Sequence, residues 1–122
     1  MLDEYIKLFS GYDGDFGIAD MSKAKLDSER NKLKPDYEWA GRPITPVDYK
    51  NHIDGKISIG IQPCRLDKTA QFACIDIDPK NYSEFKIKNY LTKFEQYKLP
   101  LVPLLSKSGG LHCYILLKEP IP

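Results

Sequence analysis

Asp76 and Asp78, separated only by Ile77 at the end of the apolar run Ala73-Cys74-Ile75, are the residues whose spacing most invites chemistry. A strand sends residues i and i+2 to the same face, so the two carboxylates would project side by side. Held that close, they repel unless a proton or a cation sits between them. A pair of this kind at a strand end suits a hard divalent cation such as Mg2+. Taken alone, the plainer reading is favoured, an acidic turn in which Asp78-Pro79 simply ends the strand.

A second cluster, Ser106-Lys107-Ser108-Gly109-Gly110, lies between two apolar stretches and leads to His112. Glycine permits positive φ, which lets successive backbone N–H groups face one concavity and receive a phosphate. Lys107 would add charge, and the two serines further donors. On its own this segment is better explained as a hairpin loop that needs small residues for its turn. His112 sharpens it. Strand alternation puts His112 on one face with Tyr114 and Leu116, and Leu111, Cys113 and Ile115 on the other. An imidazole N–H beside such a cradle can donate to a phosphate oxygen. As a metal ligand His112 lacks a second His or Cys at useful spacing. The other histidine, His52, reads as a surface residue at a helix end. Together, a carboxylate pair, a Ser/Lys/Gly turn and a histidine are the parts that metal-dependent nucleotidyl transfer requires.

The elements that must position these residues follow from pattern. Leu2, Tyr5, Ile6 and Phe9 recur at helical spacing, so the first ten residues predict a short amphipathic helix. The segment from Gly11 to Lys34 reads as irregular and polar, with room for a short helix around Met21 to Leu33. Its Lys23, Lys25, Arg30, Lys32 and Lys34 form the most basic local stretch; a solvated loop is the plainer reading and a strand-binding face the sharper one. Thr45-Pro46-Val47-Asp48 predicts a helix start, closed by Gly55. Ile57, Ile59 and Ile61 alternate as in a strand. Phe72 to Ile77 is apolar on both faces, as a central strand would be. Ser83 to Lys98 predicts a helix capped by Ser83, with Glu84 in its first turn and Ile87, Tyr90, Leu91 and Phe94 on one face. Leu101 to Leu105 and Leu111 to Leu117 predict two further strands. This order predicts an α+β fold with a mixed or antiparallel sheet and flanking helices.

The chain has 122 residues, enough for one domain with a real core, and no internal boundary or repeat is visible. With 18 Lys+Arg against 17 Asp+Glu, the net charge of +1 does not announce a nucleic-acid binder, although a local basic face can hide inside it. The three cysteines, Cys64, Cys74 and Cys113, are widely spaced and form no disulfide framework, which favours a reducing compartment. Cys74 and Cys113 lie in apolar runs and read as small core residues. No signal pattern and no membrane-length apolar run is present, so the expectation is a cytoplasmic protein without a membrane partner.

At these residues the sequence resembles the archaeo-eukaryotic primase, or primase-polymerase, superfamily, and within it the primase domains of phages and mobile elements. The acid-x-acid strand end matches Phe72 to Asp78, and the Ser-containing, Gly-rich turn leading to a strand histidine matches Ser106 to Tyr114. The lead-in is similar as well, at Leu8-Phe9-Ser10-Gly11, Trp39 to Thr45 and Gly55 to Pro63, so the likeness spans about Leu8 to Pro120. The resemblance implies that Asp76 and Asp78 coordinate Mg2+ or Mn2+. It implies that His112 and the turn, Ser106, Lys107, Ser108, Gly109 and Gly110, bind the incoming nucleoside triphosphate. It further implies primer synthesis or extension on a single-stranded DNA template, without a protein nucleophile. A helicase, or the remainder of a larger primase chain, would be a further partner.

Two departures bear on this. Some relatives carry a serine two residues before the histidine, where this chain has Gly110, so either Ser106 or Ser108 would touch phosphate. The superfamily also has a third acid on a later strand, which these residues do not include. The expectation is therefore the N-terminal portion of a primase catalytic core. A natural short form completed by another chain, or a degenerate relative, are the other readings. A non-catalytic nucleotide- or nucleic-acid-binding module is the alternative function. A rolling-circle type nuclease is disfavoured because His112 lacks a paired histidine.

Overall fold

The computed structural model describes residues 1–27, 32–106 and 109–122. Arg30, Lys107 and Ser108, singled out above, lie outside the described residues. The elements run α1 (Leu2–Leu8), β1 (Gly17–Asp27), β2 (Lys32–Trp39), α2 (Pro46–Ile53), β3 (Ser58–Gly60), β4 (Ala70–Ile77), a 3-10 turn (Pro79–Asn81), α3 (Ile87–Gln96), β5 (Val102–Leu105) and β6 (Leu111–Ile121). The architecture is α+β, with two antiparallel three-stranded sheets ordered β2-β1-β3 and β4-β6-β5. Among the described residues, no helix is long and apolar enough to cross a membrane.

The β4-β6-β5 sheet has two unlike faces, which follow from alternation along β6. Leu111 and Cys113 point to one side and are buried with Ile77; Phe85, Ile87, Tyr90, Phe94 and Leu101 pack over them. This is the apolar stripe of α3 meeting the apolar face of the sheet, the expected partnership for an amphipathic helix. Burial pushes the Cys113 thiol above its ordinary range, which keeps it protonated and unreactive. The opposite face carries Phe72 and Tyr114 at one end. There Phe9, just past α1, packs edge-on against both rings, at 5.5 and 5.4 Å. Helix α1 has seven residues, none of them buried, and is too short to be stable in isolation. Its order rests on such aromatic contacts, including Tyr5 against Tyr49 of α2 at 6.2 Å.

Helix α2 begins as its sequence predicts. The Asp48 carboxylate is buried and takes four donors: the backbone N–H and hydroxyl of Thr45 and both terminal nitrogens of Arg42. The Arg42 guanidinium holds the Asp48 carboxyl well below the usual carboxylate range. The same guanidinium lies over the Phe16 ring, 5.1 Å from its centroid. Gly55, at φ +73°, closes the helix.

Four expectations are corrected. The described residues of the segment Met21 to Leu33 belong to strands β1 and β2, not to a helix; Lys25, Leu26 and Asp27 pair with Lys34, Leu33 and Lys32 across the ribbon, where apolar spacing could not support a helix. Strand β4 is an edge strand, and β6 is the central one. Cys74 is accordingly exposed, because the face and edge of β4 near it are not covered. Helix α3 starts at Ile87, and Ser83 does not cap it. Residues 83–84 instead form a turn that lets Phe85 stack on Tyr90 at 5.2 Å and join the core.

Candidate metal and nucleotide site

The two motifs meet because their strands pair directly. Asp76 of β4 is the register partner of His112 on the adjacent β6, and His112 in turn pairs with Leu104 on β5. Directly opposed residues share a face, so Asp76, His112 and Leu104 form one row across the sheet. Cys74, Tyr114 and Val102 form the next row towards Phe9. The His112 Nε2 lies 3.7 Å from Asp76 Oδ1, too far for a hydrogen bond and within ion-pair range for a protonated imidazole. Both side chains are largely exposed, as are Val102 and Leu104. The open face thus presents a carboxylate, an imidazole and an apolar strip side by side.

Asp78 follows the last residue of β4. Its backbone is still extended, at φ −90° and ψ 125°, and it caps the 3-10 turn by accepting the Lys80 N–H at 3.1 Å. Pro79 suits the first position of that turn, since its fixed φ and missing N–H cost nothing there. The Lys80 ammonium closes back on Asp78, with Nζ 2.8 Å from Oδ2. Each carboxylate of the pair therefore faces a protein nitrogen, His112 for Asp76 and Lys80 for Asp78. Sequence pattern did not single out Lys80. The only signal was an ammonium two residues beyond Asp78 with a turn-forming proline between them.

The glycine turn is built differently from an open cradle. Gly109 sits at φ +81°, and its N–H donates to the Ser106 carbonyl at 3.1 Å. The Gly110 N–H donates to the Ser106 hydroxyl at 3.0 Å, while the Ser106 N–H returns to the Gly110 carbonyl at 3.0 Å. Ser106 is thus the staple of its own turn, and both glycine amides are engaged within it. Gly110 has a further role that its sequence did not reveal. A Cβ at that position would collide with the Ile77 carbonyl oxygen and lie 2.8 Å from Pro79 Cδ. The turn is pressed directly onto the strand end that carries Asp76 and Asp78.

The donor set fits a hard cation. Mg2+ is commonly held by one or two carboxylates together with waters and substrate phosphates, and Asp76 and Asp78 supply that much. Among the described residues no three His, Cys, Asp or Glu side chains converge on one point.

A family model described as the archaeo-eukaryotic primase domain of the TOTE conflict system matches residues 17–122. The chain belongs to this family. The matched span of the primase domain holds β4, the Ser106 turn and β6, and leaves α1 outside it. At the level of the family the chain is a primase module of the nucleotidyl-transfer kind, in a class that uses divalent metals and handles nucleotides and DNA. No curated protein matches the chain.

Proposed function

We propose that this primase domain binds a nucleoside triphosphate, together with Mg2+ or Mn2+, on the open face of the β4-β6-β5 sheet and uses it in template-dependent nucleotidyl transfer. Primer synthesis or extension is the reaction this reading implies. The observation that carries it is the cross-strand pairing of Asp76 with His112, which brings the two motifs to one point of one sheet. Asp76 and Asp78 would hold the cation. When bound, it would supply charge neutralisation and in-line alignment of the reacting phosphate. His112, fixed on the central strand, donates an imidazole N–H to a phosphate oxygen. The exposed side chains of Leu104 and Val102, level with His112 and Tyr114, offer apolar surface to the sugar of the same nucleotide.

The template finds its support on the other sheet. Lys25 and Lys34 face each other in the register of β1 and β2. Like charges directly opposed are unfavourable, and an anionic strand between them relieves the repulsion. On the same ribbon Tyr37 and Trp39 are 67% and 60% exposed, spaced by two on one face of β2. Exposed aromatics are the means by which single strands are held without regard to sequence. Strand alternation puts Lys34 with Asp36 and Glu38 on the opposite face of β2 from these rings, so the lysine pair and the rings would be separate contacts of the ribbon with the template.

Calorimetric titration of Mn2+ with a nucleoside triphosphate into wild type and Asp76→Ala tests the metal site. Equal heats from the two proteins would sink the proposal. Labelled nucleotide incorporation on a single-stranded template tests the chemistry. One observation favours the second reading, a binding module without chemistry: the described residues bring together two acids and no third. Template binding that survives removal of both aspartates, with no incorporation by wild type, would decide for it.

A further inference from the structure

We propose that Lys80 is a third working residue of this site. It is the counter-cation of Asp78 while the pair is without metal, and a polyphosphate contact once a metal takes its place. The inference rests on the metal-nucleotide reading above and concerns a residue that neither motif contains.

The geometry sets up both states. In the first, the Lys80 Nζ and backbone N–H both engage the Asp78 carboxylate, at 2.8 and 3.1 Å. The partners are unequally placed, with the Asp78 side chain 21% exposed and the Lys80 side chain 62% exposed. The carboxylate is anchored by the turn, while the ammonium sits at the end of a flexible four-carbon stem in solvent. A divalent cation on Asp78 competes for the same oxygens and displaces the mobile partner. An exposed ion pair is weak enough to be displaced in this way.

The second state follows from what surrounds the released ammonium. The Gly110 turn packs onto Pro79, the residue before Lys80, so the stem begins where the phosphate-binding turn touches the strand end. That turn has spent the Gly109 and Gly110 amides on Ser106. With those two amides engaged, phosphate oxygens at this place would draw on side chains as well, and Lys80 brings three donors and a full charge. The displaced ammonium then meets an anion in the place of the one it has lost.

The test uses the full chain and two direct binding measurements. Mn2+ alone is titrated by electron paramagnetic resonance into wild type, Lys80→Met, Lys80→Arg and Asp76→Ala. A non-hydrolysable nucleoside triphosphate is then titrated at saturating Mn2+. Lys80→Met should bind Mn2+ about two- to fivefold more tightly, because the competitor is gone. It should bind the triphosphate at least about tenfold more weakly, and Lys80→Arg should restore most of that loss. Unchanged or weaker Mn2+ binding by Lys80→Met, or unchanged triphosphate binding, overturns the role of Lys80. If Asp76→Ala binds Mn2+ as well as wild type, or wild type binds none, the metal-pair reading itself falls and this inference falls with it. Because Lys80 is exposed and outside the core, misfolding does not confuse the result, and circular dichroism of each variant verifies that.

Discussion

Asp76 and His112 stand directly opposite one another on paired strands, with 3.7 Å between the carboxylate oxygen and Nε2. The contact is too loose to lock either side chain, so under the proposed function Asp76 can turn to a cation and His112 to a phosphate oxygen. Substituting His112 with Ala should therefore leave Mn2+ binding within about twofold of wild type, as expected for an exposed ion pair. The same change should weaken triphosphate binding by about tenfold or more, as the loss of a charge-assisted hydrogen bond would. Parallel titrations with the metal alone and with the nucleotide separate the two effects.

Gly110→Ala should be the most disruptive small change in the site. Its methyl group would overlap the Ile77 carbonyl and press on Pro79. Overpacking of this kind costs about 1–3 kcal/mol. A thermal melt should show a drop of at least about 3 °C. Gly109→Ala is strained for a different reason, its φ of +81°. It should leave the strand contact intact.

Acid should weaken the α2 region through Asp48. Its folded-state pKa is depressed, first by the Arg42 hydrogen bonds. Folding therefore favours the ionised form. The stabilisation is complete above the unfolded carboxylate pKa of about 3.9 and is lost as pH falls through the lower folded value. Asp48→Asn should melt lower than wild type at neutral pH, by about 1–3 kcal/mol. Melting curves taken from pH 7 down to pH 2 should show the gap between the two proteins closing.

Trp39→Ala and Tyr37→Ala should each weaken binding of a single-stranded oligonucleotide, by about 1–3 kcal/mol per base no longer stacked. Fluorescence anisotropy reads this directly. Metal binding should be unaffected, since these rings lie on β2 and Asp76 on β4. Oligonucleotide affinity unchanged in the double variant would remove the ribbon from the template path.

Much of the site could be read from the chain because strand alternation is a strong local code. It put Leu111 and Cys113 on one face of β6, the face that packs on α3 in the fold, and His112 on the other, and the paired motifs identified the family. What could not be read depends on pairing partners or on short-range geometry. Strand β1 lacks clean alternation, and its register with β2 shifts between Asp20 and Lys25. Strand β2 does alternate, Leu33, Pro35, Tyr37 and Trp39 against Lys34, Asp36 and Glu38, a strand signal that the proline inside the run obscures. Cys74 sits in a run as apolar as any core strand, yet the sheet order makes that run an edge. Ser83 has the chemistry of a cap, but the chain turns at residues 83–84 and Phe85 packs on the core ahead of the helix. Lys80 is an ordinary surface lysine until the turn at Pro79 folds it back on Asp78.

The order β4-β6-β5 gives the two halves of the site different mechanical standing. His112 belongs to a strand gripped on both sides, and Asp76 to one gripped on a single side. In the proposed site the imidazole would be the fixed jaw, and Asp76, on the edge strand, the side with more room to adjust to a cation or phosphate. Adjustment would then fall to Asp76 rather than to Asp78, which its turn anchors, while the histidine would keep the reference position for a nucleotide.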